Sequence, residues 1–283
     1  MTVVEVTHEH AAEDVSTTVA ELLTGAGAVV IRGALSPDDV ADARARIMHY
    51  SDGEGDKVTH FHGGHEDQVH LQRRVWNLLN KGEVFERMVQ HPTVTAIAAA
   101  LLGSEFIMGS VAANRLLPGG PGQEPHVDYP YWDYYRTDTF PANINASFPL
   151  NMQATFLLDD FTADNGATAF LPGSQRQLAW PDEETFWAGA QRQTGTAGDC
   201  YVFNGMMWHC AMPNTSDGNR TGILVQYLPK FVTPLEDQKH GVGPDVVARA
   251  TPLLRQLMGL VYPYPKILDD DEATVAYGRK AGH

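Results

Sequence analysis

The order of patterns along the chain predicts a mostly β protein with flanking helices, its core a β-sandwich or jelly roll. Three observations carry that expectation. Helical patterns dominate up to about residue 104, short β-like runs broken by Gly, Pro, Asn and Asp fill about 105–229, and a helical part returns at about 240–283. Helices first, then many antiparallel strands, then helix, places the helices outside a layered β core. The 283 residues are expected to form a single domain over 1–283. At 43% hydrophobic and 19% charged, the composition is that of a globular protein able to bury a substantial core.

The elements follow in order. Residues 11–25 read as a helix and Ala28–Arg32 as a short buried strand. Ser36-Pro37-Asp38-Asp39 is a helix start, with Ser36 as N-cap, Pro37 in the first turn and acids beside the helix dipole; that helix should run to about Tyr50. Residues 83–102 read as two helical pieces, because Pro92 ends one and opens the next. Val94, Ile97, Ala98 and Leu101 give the second piece an apolar face, and Gly103 stops it. The β-like runs are Phe106–Leu117, Asn151–Leu158, Ala167–Leu171, Asp199–Phe203, Met206–Met212 and Thr221–Leu228. A last helix is expected at about 244–258.

Charge and composition exclude several functions. With 20 basic against 35 acidic residues, the net charge of −15 and the lack of a clustered basic run speak against nucleic acid as a partner. The same sign argues against highly anionic substrates, although a few local Arg or Lys would suffice to bind one. No run approaches the ~18–20 apolar residues of a membrane span. Met1–His10 has no basic stretch followed by an apolar block, and two cysteines are too few for a disulfide scaffold, so a reduced, cytoplasmic protein is expected.

The chemistry concentrates in three places. His126 and Asp128 are spaced i, i+2, which on a strand puts an imidazole and a carboxylate on one face and turns Val127 away. Those are two-thirds of a 2-His-1-carboxylate iron site, which leaves metal positions open for substrate, cofactor and O2. His209, in the apolar run after the turn-like Phe203-Asn204-Gly205, is the candidate third ligand. Arg220 then opens a strand on which it shares a face with Gly222 and Leu224, and a guanidinium pointing into a barrel calls for an anion such as a dicarboxylate cofactor. Singly, each has a plain explanation: a chance His-x-Asp, a core histidine, an exposed strand end. Their conjunction, in this order and on predicted strands, points to a metal site.

With these residues the chain resembles the phytanoyl-CoA dioxygenase family of Fe(II)/2-oxoglutarate-dependent oxygenases over roughly residues 20–230. The stretch Leu158-Asp-Asp-Phe-Thr-Ala-Asp-Asn-Gly-Ala-Thr-Ala-Phe-Leu-Pro-Gly-Ser174 is also of the family's type. The resemblance implies a double-stranded β-helix, or cupin-like, core. It implies His126, Asp128 and His209 as iron ligands and Arg220 as partner of the distal carboxylate of 2-oxoglutarate, with Thr168 donating a hydroxyl to that carboxylate. Gln153 and Asn77 match positions that reach the cofactor. The implied enzyme consumes O2 and 2-oxoglutarate, releases succinate and CO2, and oxidises a small molecule, in natural-product or amino-acid metabolism. Related halogenases lack the metal carboxylate, and the presence of Asp128 favours hydroxylation or another oxidation. Two other readings stay open at this point: a cupin-like metal-dependent isomerase or hydrolase without 2-oxoglutarate, and a non-catalytic jelly-roll binding protein.

Other features carry less. Tyr129, Tyr131 and Trp132, in an aromatic run directly after the candidate ligands, are candidate substrate contacts or mere packing at the barrel mouth. Trp208 should point away from the metal by alternation. The histidines between His60 and His70 form a rival metal cluster or a polar loop. Cys200 and Cys210 read as buried thiols on neighbouring strands, Gly119–Gln123 as a turn, and Asp159-Asp160 as residues facing opposite sides. The sequence does not give the oligomeric state.

Overall fold

The computed structural model describes residues 3–7, 14–54, 66–134, 148–177 and 179–263. In chain order the elements are β1 (Val4–Thr7), α1 (Val15–Thr24), β2 (Ala28–Arg32), α2 (Pro37–Glu54), β3 (Gln72–Val75), α3 (Glu83–Val89), α4 (Pro92–Leu102), β4 (Ile107–Leu116) and β5 (Met152–Leu157). There follow β6 (Ala169–Phe170), α5 (Glu183–Gly189), β7 (Gln191–Arg192), β8 (Cys200–Asn204), β9 (His209–Cys210), β10 (Arg220–Leu228), α6 (Gln238–Gly241), α7 (Pro244–Arg249) and α8 (Pro252–Leu257). The predicted architecture of a β core flanked by helices is the one observed.

Two sheets form that core. The larger has the strand order β1-β2-β8-β5-β10-β4-β3 and is antiparallel except where β1 runs parallel to β2. The smaller has the order β7-β6-β9. Two-residue alternation divides the large sheet between two tasks. Met152, Ala154 and Phe156 of β5, Cys200 and Val202 of β8, and Ile223, Val225 and Tyr227 of β10 join the helices in one apolar cluster. The intervening Gln153, Thr155, Tyr201, Phe203, Arg220 and Leu224 face the other way, into a cavity shared with the small sheet. A polar cavity therefore rests on a wall whose back is anchored in the main core. Tyr227 reinforces this by donating its hydroxyl to the carbonyl of Val89 in α3 at 2.9 Å.

The helix punctuation acts as the sequence predicts. Ser36 Oγ accepts from Asp39 N at 3.1 Å. α3 ends at Val89, α4 opens at Pro92, and His91 Nδ1 caps α4 by accepting from Val94 N at 3.4 Å. Gly103 takes a φ of +95° after the last turn. Three expectations need correction. Met206–Met212 is not a strand: only His209–Cys210 pairs, because Met207 N closes a turn onto Asn204 O at 2.8 Å. The helix expected over 244–258 is two short helices, since Thr251 caps and Pro252 opens the second. Cys200 and Cys210 are buried free thiols, but they lie in different sheets.

Among the described residues no helix is long and apolar enough to cross a membrane. Of the histidine cluster, His60, His62 and His65 lie outside the described residues, and His70 is exposed. Asp159 pairs with Arg44 at 2.7 Å while Asp160 accepts from Ala197 N at 2.8 Å, so the adjacent carboxylates do part company.

Candidate metal centre and cofactor cavity

His126 and His209 face each other across a single antiparallel bridge. His126 N donates to His209 O at 2.9 Å and His209 N to His126 O at 3.1 Å. This is less than the regular strand expected around His126. The segment is held one rung at a time, with Asp128 N donating to Gly205 O at 2.9 Å. The two imidazole centroids lie 4.4 Å apart, and Asp128 Oδ2 lies 3.5 Å from His209 Nε2. One ligand atom from each of His126, Asp128 and His209 fits within 4.8 Å of the others.

The hydrogen bonds around this cluster select which atoms face inward. His126 Nδ1 meets the carbonyl of Glu124 at 2.8 Å, and His209 Nδ1 meets that of Met207 at 2.8 Å. Each carbonyl fixes its ring as the Nδ1–H tautomer and leaves Nε2 as a lone-pair donor, the usual support for a metal-bound histidine. Burial first, and then the facing His209, pushes the His126 imidazole down to about 4, so it is neutral at physiological pH. Phe170 and Phe203 flank the His209 ring at 5.8 and 5.0 Å. Asp128 Oδ2 is buried and has no hydrogen-bond partner. A buried carboxylate oxygen without a donor is costly, and a cation between it and the two Nε2 atoms would remove that cost. The donor set, two imidazoles and a carboxylate, suits non-haem iron.

The cavity behind the cluster measures about 80 Å³. Arg220 enters it from the first position of β10, 3% exposed, with its guanidinium 4.8 Å above the Phe161 ring and one NH2 donating to Gly166 O at 2.7 Å. Two glycines make this possible. Gly166, whose carbonyl takes that bond, has a φ of +89°, and a Cβ at Gly222 would come within 3.1 Å of the Phe161 ring. Arg220 Nε is left without a partner. Thr168 and Gln153 also line the cavity.

Sequence reasoning missed a second guanidinium there, Arg74 of β3, along with Asn114 and Gln123. Arg74 sits opposite Asn114 in the β3–β4 ladder, and Gln123 Oε1 accepts from Ala211 N at 3.2 Å. Burial lowers both arginines to about 10, and Arg74 further disfavours the charge on Arg220, whereas Asp128 supports that on Arg74. Two buried guanidinium groups and one carboxylate thus line the cavity, an excess of positive charge that suits an anionic guest.

Four sequence candidates stand apart from this cavity. Asn77 is exposed, with its backbone N–H donating to Glu236 Oε1 at 2.9 Å, so it does not reach a cofactor in the cavity. Tyr131 is 1% exposed and packs with Val127, Phe186 and Trp208, while its hydroxyl accepts from Leu150 N at 2.7 Å; it is a core side chain rather than a pocket wall. Tyr129 donates its hydroxyl to Thr233 O at 2.5 Å and stands edge-on to Trp132, which is 37% exposed. Neither lines the cavity. Trp208 does point away from the cluster, its indole N–H donating to Ala179 O at 3.1 Å.

Comparison with known proteins gives the family. The family description Phytanoyl-CoA dioxygenase (PhyH) matches residues 23–222. The chain belongs to the phytanoyl-CoA dioxygenase family. It is accordingly a non-haem Fe(II)/2-oxoglutarate-dependent dioxygenase, with O2 as co-substrate. It is 27% identical over 259 residues to Dioxygenase ALT11 of Alternaria alternata, covering 85% of this chain and 80% of that protein. It is 25% identical over 252 residues to Dioxygenase trt7 of Aspergillus terreus, covering 85% and 82%. Among solved structures it is similar to the non-heme alpha ketoglutarate dependent epimerase SnoN from nogalamycin biosynthesis, at a TM-score of 0.58 and 20% identity, covering 77% of this chain and 84% of that one. At that identity the likeness establishes the shared fold.

Proposed function

We propose that His126, Asp128 and His209 hold the Fe(II), that Arg220, Thr168 and Gln153 with Arg74 hold 2-oxoglutarate, and that the enzyme oxidises a C–H bond of a small neutral or cationic natural product or amino-acid derivative. The observation that carries this reading is the pairing of an orphaned, buried Asp128 Oδ2 with two imidazoles whose Nδ1 atoms are already committed to carbonyls. When bound, Fe(II) with 2-oxoglutarate and O2 supplies an oxidant able to take hydrogen from carbon.

The protein's own residues do four things. The Glu124 and Met207 carbonyls orient the two imidazoles. The guanidinium of Arg220 pairs with the distal carboxylate of the co-substrate, its free Nε adding a donor. Phe170, Phe203 and Leu224 line the cavity with apolar surface that excludes water. Tyr129, next in sequence to Asp128, and Trp132, edge-on to it, would contact the substrate. The substrate class is drawn from the acidic chain, which disfavours polyanions, and from these aromatic neighbours.

The test is anaerobic titration of the purified protein with Fe(II) and then 2-oxoglutarate, watching for a weak visible metal-to-ligand charge-transfer band. A band that disappears in His209→Ala is the expected result. Iron binding without the band would remove 2-oxoglutarate from the site.

A further inference from the structure

We infer that Gln226, together with Asn151, is a positioning residue for the Asp128 carboxylate, acting through the backbone carbonyl of Tyr129. The inference rests on the reading of Asp128 as a metal ligand. Asp128 Oδ2 makes no hydrogen bond among the described residues and stands 3.5 Å from His209 Nε2, so the backbone on either side is a main constraint on the carboxylate's direction. On one side Asp128 N donates to Gly205 O at 2.9 Å, and Asp128 O accepts from Tyr131 N at 2.9 Å. On the other, Tyr129 O accepts from two side-chain amides, Gln226 Nε2 at 3.2 Å and Asn151 Nδ2.

Both amides are enclosed, Gln226 at 2% and Asn151 at 0% exposure. Both leave their oxygens buried and without partners. Gln226 Oε1 lies over Gly109, where an added Cβ would come within 2.2 Å of it. As packing, this is an expensive choice: a side chain of the same length without polar atoms would fill the space and strand no acceptor. What the amide adds is one donor aimed at the residue after the metal-binding carboxylate.

The two donors come from different places in the large sheet. Asn151 immediately precedes β5, and Gln226 lies on β10 directly opposite Gln153 of β5. Gln226 also shares a face with Arg220, Gly222 and Leu224 by two-residue alternation. One strand thus holds the guanidinium at one end of the cavity and braces the metal carboxylate at the other, so that β10 sets the spacing between cofactor anchor and metal. Tyr129 extends the brace outward by donating its hydroxyl to Thr233 O in the segment after β10.

The experiment compares metal-free wild type with Gln226→Met and Gln226→Leu, measuring Fe(II) affinity by anaerobic titration, thermal midpoint, and the 2-oxoglutarate requirement at saturating iron. Loss of a group that orients a ligand typically weakens metal binding ~10–100-fold, and that is the expected result in both variants, with the midpoint unchanged or higher and the 2-oxoglutarate requirement unchanged. An Fe(II) affinity equal to that of wild type overturns the inference. So does an affinity lost only together with a lowered midpoint, which would make Gln226 a packing residue. Asp128→Ala, measured alongside, separates the two levels. If it binds iron as wild type does, the ligand reading itself fails; if it loses iron while Gln226→Met keeps it, only the positioning role fails.

Discussion

Replacing Arg220 by Met should make the ligand-free protein slightly more stable and cripple its binding of 2-oxoglutarate. Arg220 is 3% exposed, and burial is the first cause of the fall in its pKa from 12.5 to about 10. That shift corresponds to ~3 kcal/mol against the charged form in the fold. Because the folded value lies below the ordinary one, the unfolded chain holds the proton more tightly, and the penalty is present in full everywhere below about pH 10. Met removes the penalty but gives up the hydrogen bond to Gly166 O, worth ~1 kcal/mol, and the cation–π contact with Phe161, worth ~1 kcal/mol. The net is a gain of ~1 kcal/mol, or about 2–4 °C in the midpoint for a chain of this size. Losing a bidentate charge-assisted pair costs ~3 kcal/mol of binding, a ~100-fold weaker 2-oxoglutarate site. The assay is a pair of anaerobic melts with Fe(II), without and with 2-oxoglutarate. At ~100 times its Kd the co-substrate should stabilise wild type by ~2.7 kcal/mol and leave the variant almost unmoved. A variant that melts lower than wild type without 2-oxoglutarate, or that keeps the full shift with it, would refute the reasoning.

The remaining expectations are simpler. His126→Ala, Asp128→Ala and His209→Ala should each abolish turnover with the far-ultraviolet circular dichroism of wild type; full activity in any of them removes the centre as described. Tyr131→Ala should cost ~3–5 kcal/mol by denaturant unfolding because its ring is core, whereas Trp132→Ala should leave stability within ~0.5 kcal/mol and raise the substrate KM. Asp199→Asn addresses acid stability. Burial pushes this carboxyl up, but the N–H groups of Gly33 and Thr196 and the Arg32 guanidinium at 2.5 Å hold it below its ordinary 3.8 overall. A lowered folded value stabilises above the ordinary one and is lost as pH falls through the folded one. The variant should therefore be ~2 kcal/mol less stable at neutral pH and flatter on the acid side in pH-dependent melts; an equal acid limb would contradict this.

The parts of the site that could be read from the sequence are those that use the shortest code. His126 and Asp128 are two residues apart, Arg220 opens a regular apolar strand, and both Ser36 and Pro92 sit where helix ends demand them. Arg74 was hidden because β3 reads Gln-Arg-Arg-Val, with no apolar alternation to mark a strand; its inward face is polar because it lines a cavity. Met206–Met212 misled for the opposite reason. The run is apolar because Met206 and Trp208 are buried in a turn, not because it continues a ladder. Tyr131 and Trp132 look alike in sequence, and what separates the core ring from the surface one is long-range: packing with Phe186 and Trp208 and the N–H of Leu150 that bonds the Tyr131 hydroxyl.

The distribution of charge explains why cofactor and substrate can be selected by different parts of the molecule. The chain carries 35 acidic and 20 basic residues, so its long-range field repels polyanions. The cavity reverses that sign locally, with Arg74 and Arg220 facing the single carboxylate of Asp128. Burial disfavours the charge on each guanidinium, and an anion bound between them would offset that cost. On the proposed reading, a small dianion gains most from the cavity, while a larger guest would meet Tyr129 and Trp132, which pair edge-on outside it. The braces on Tyr129 O then matter doubly on the proposed reading, because this residue follows the proposed metal carboxylate of Asp128 and its ring is the proposed substrate contact, tied by its hydroxyl to Thr233 O. A change in substrate that shifted the ring would be felt at Asp128, unless Gln226 and Asn151 hold the carbonyl still.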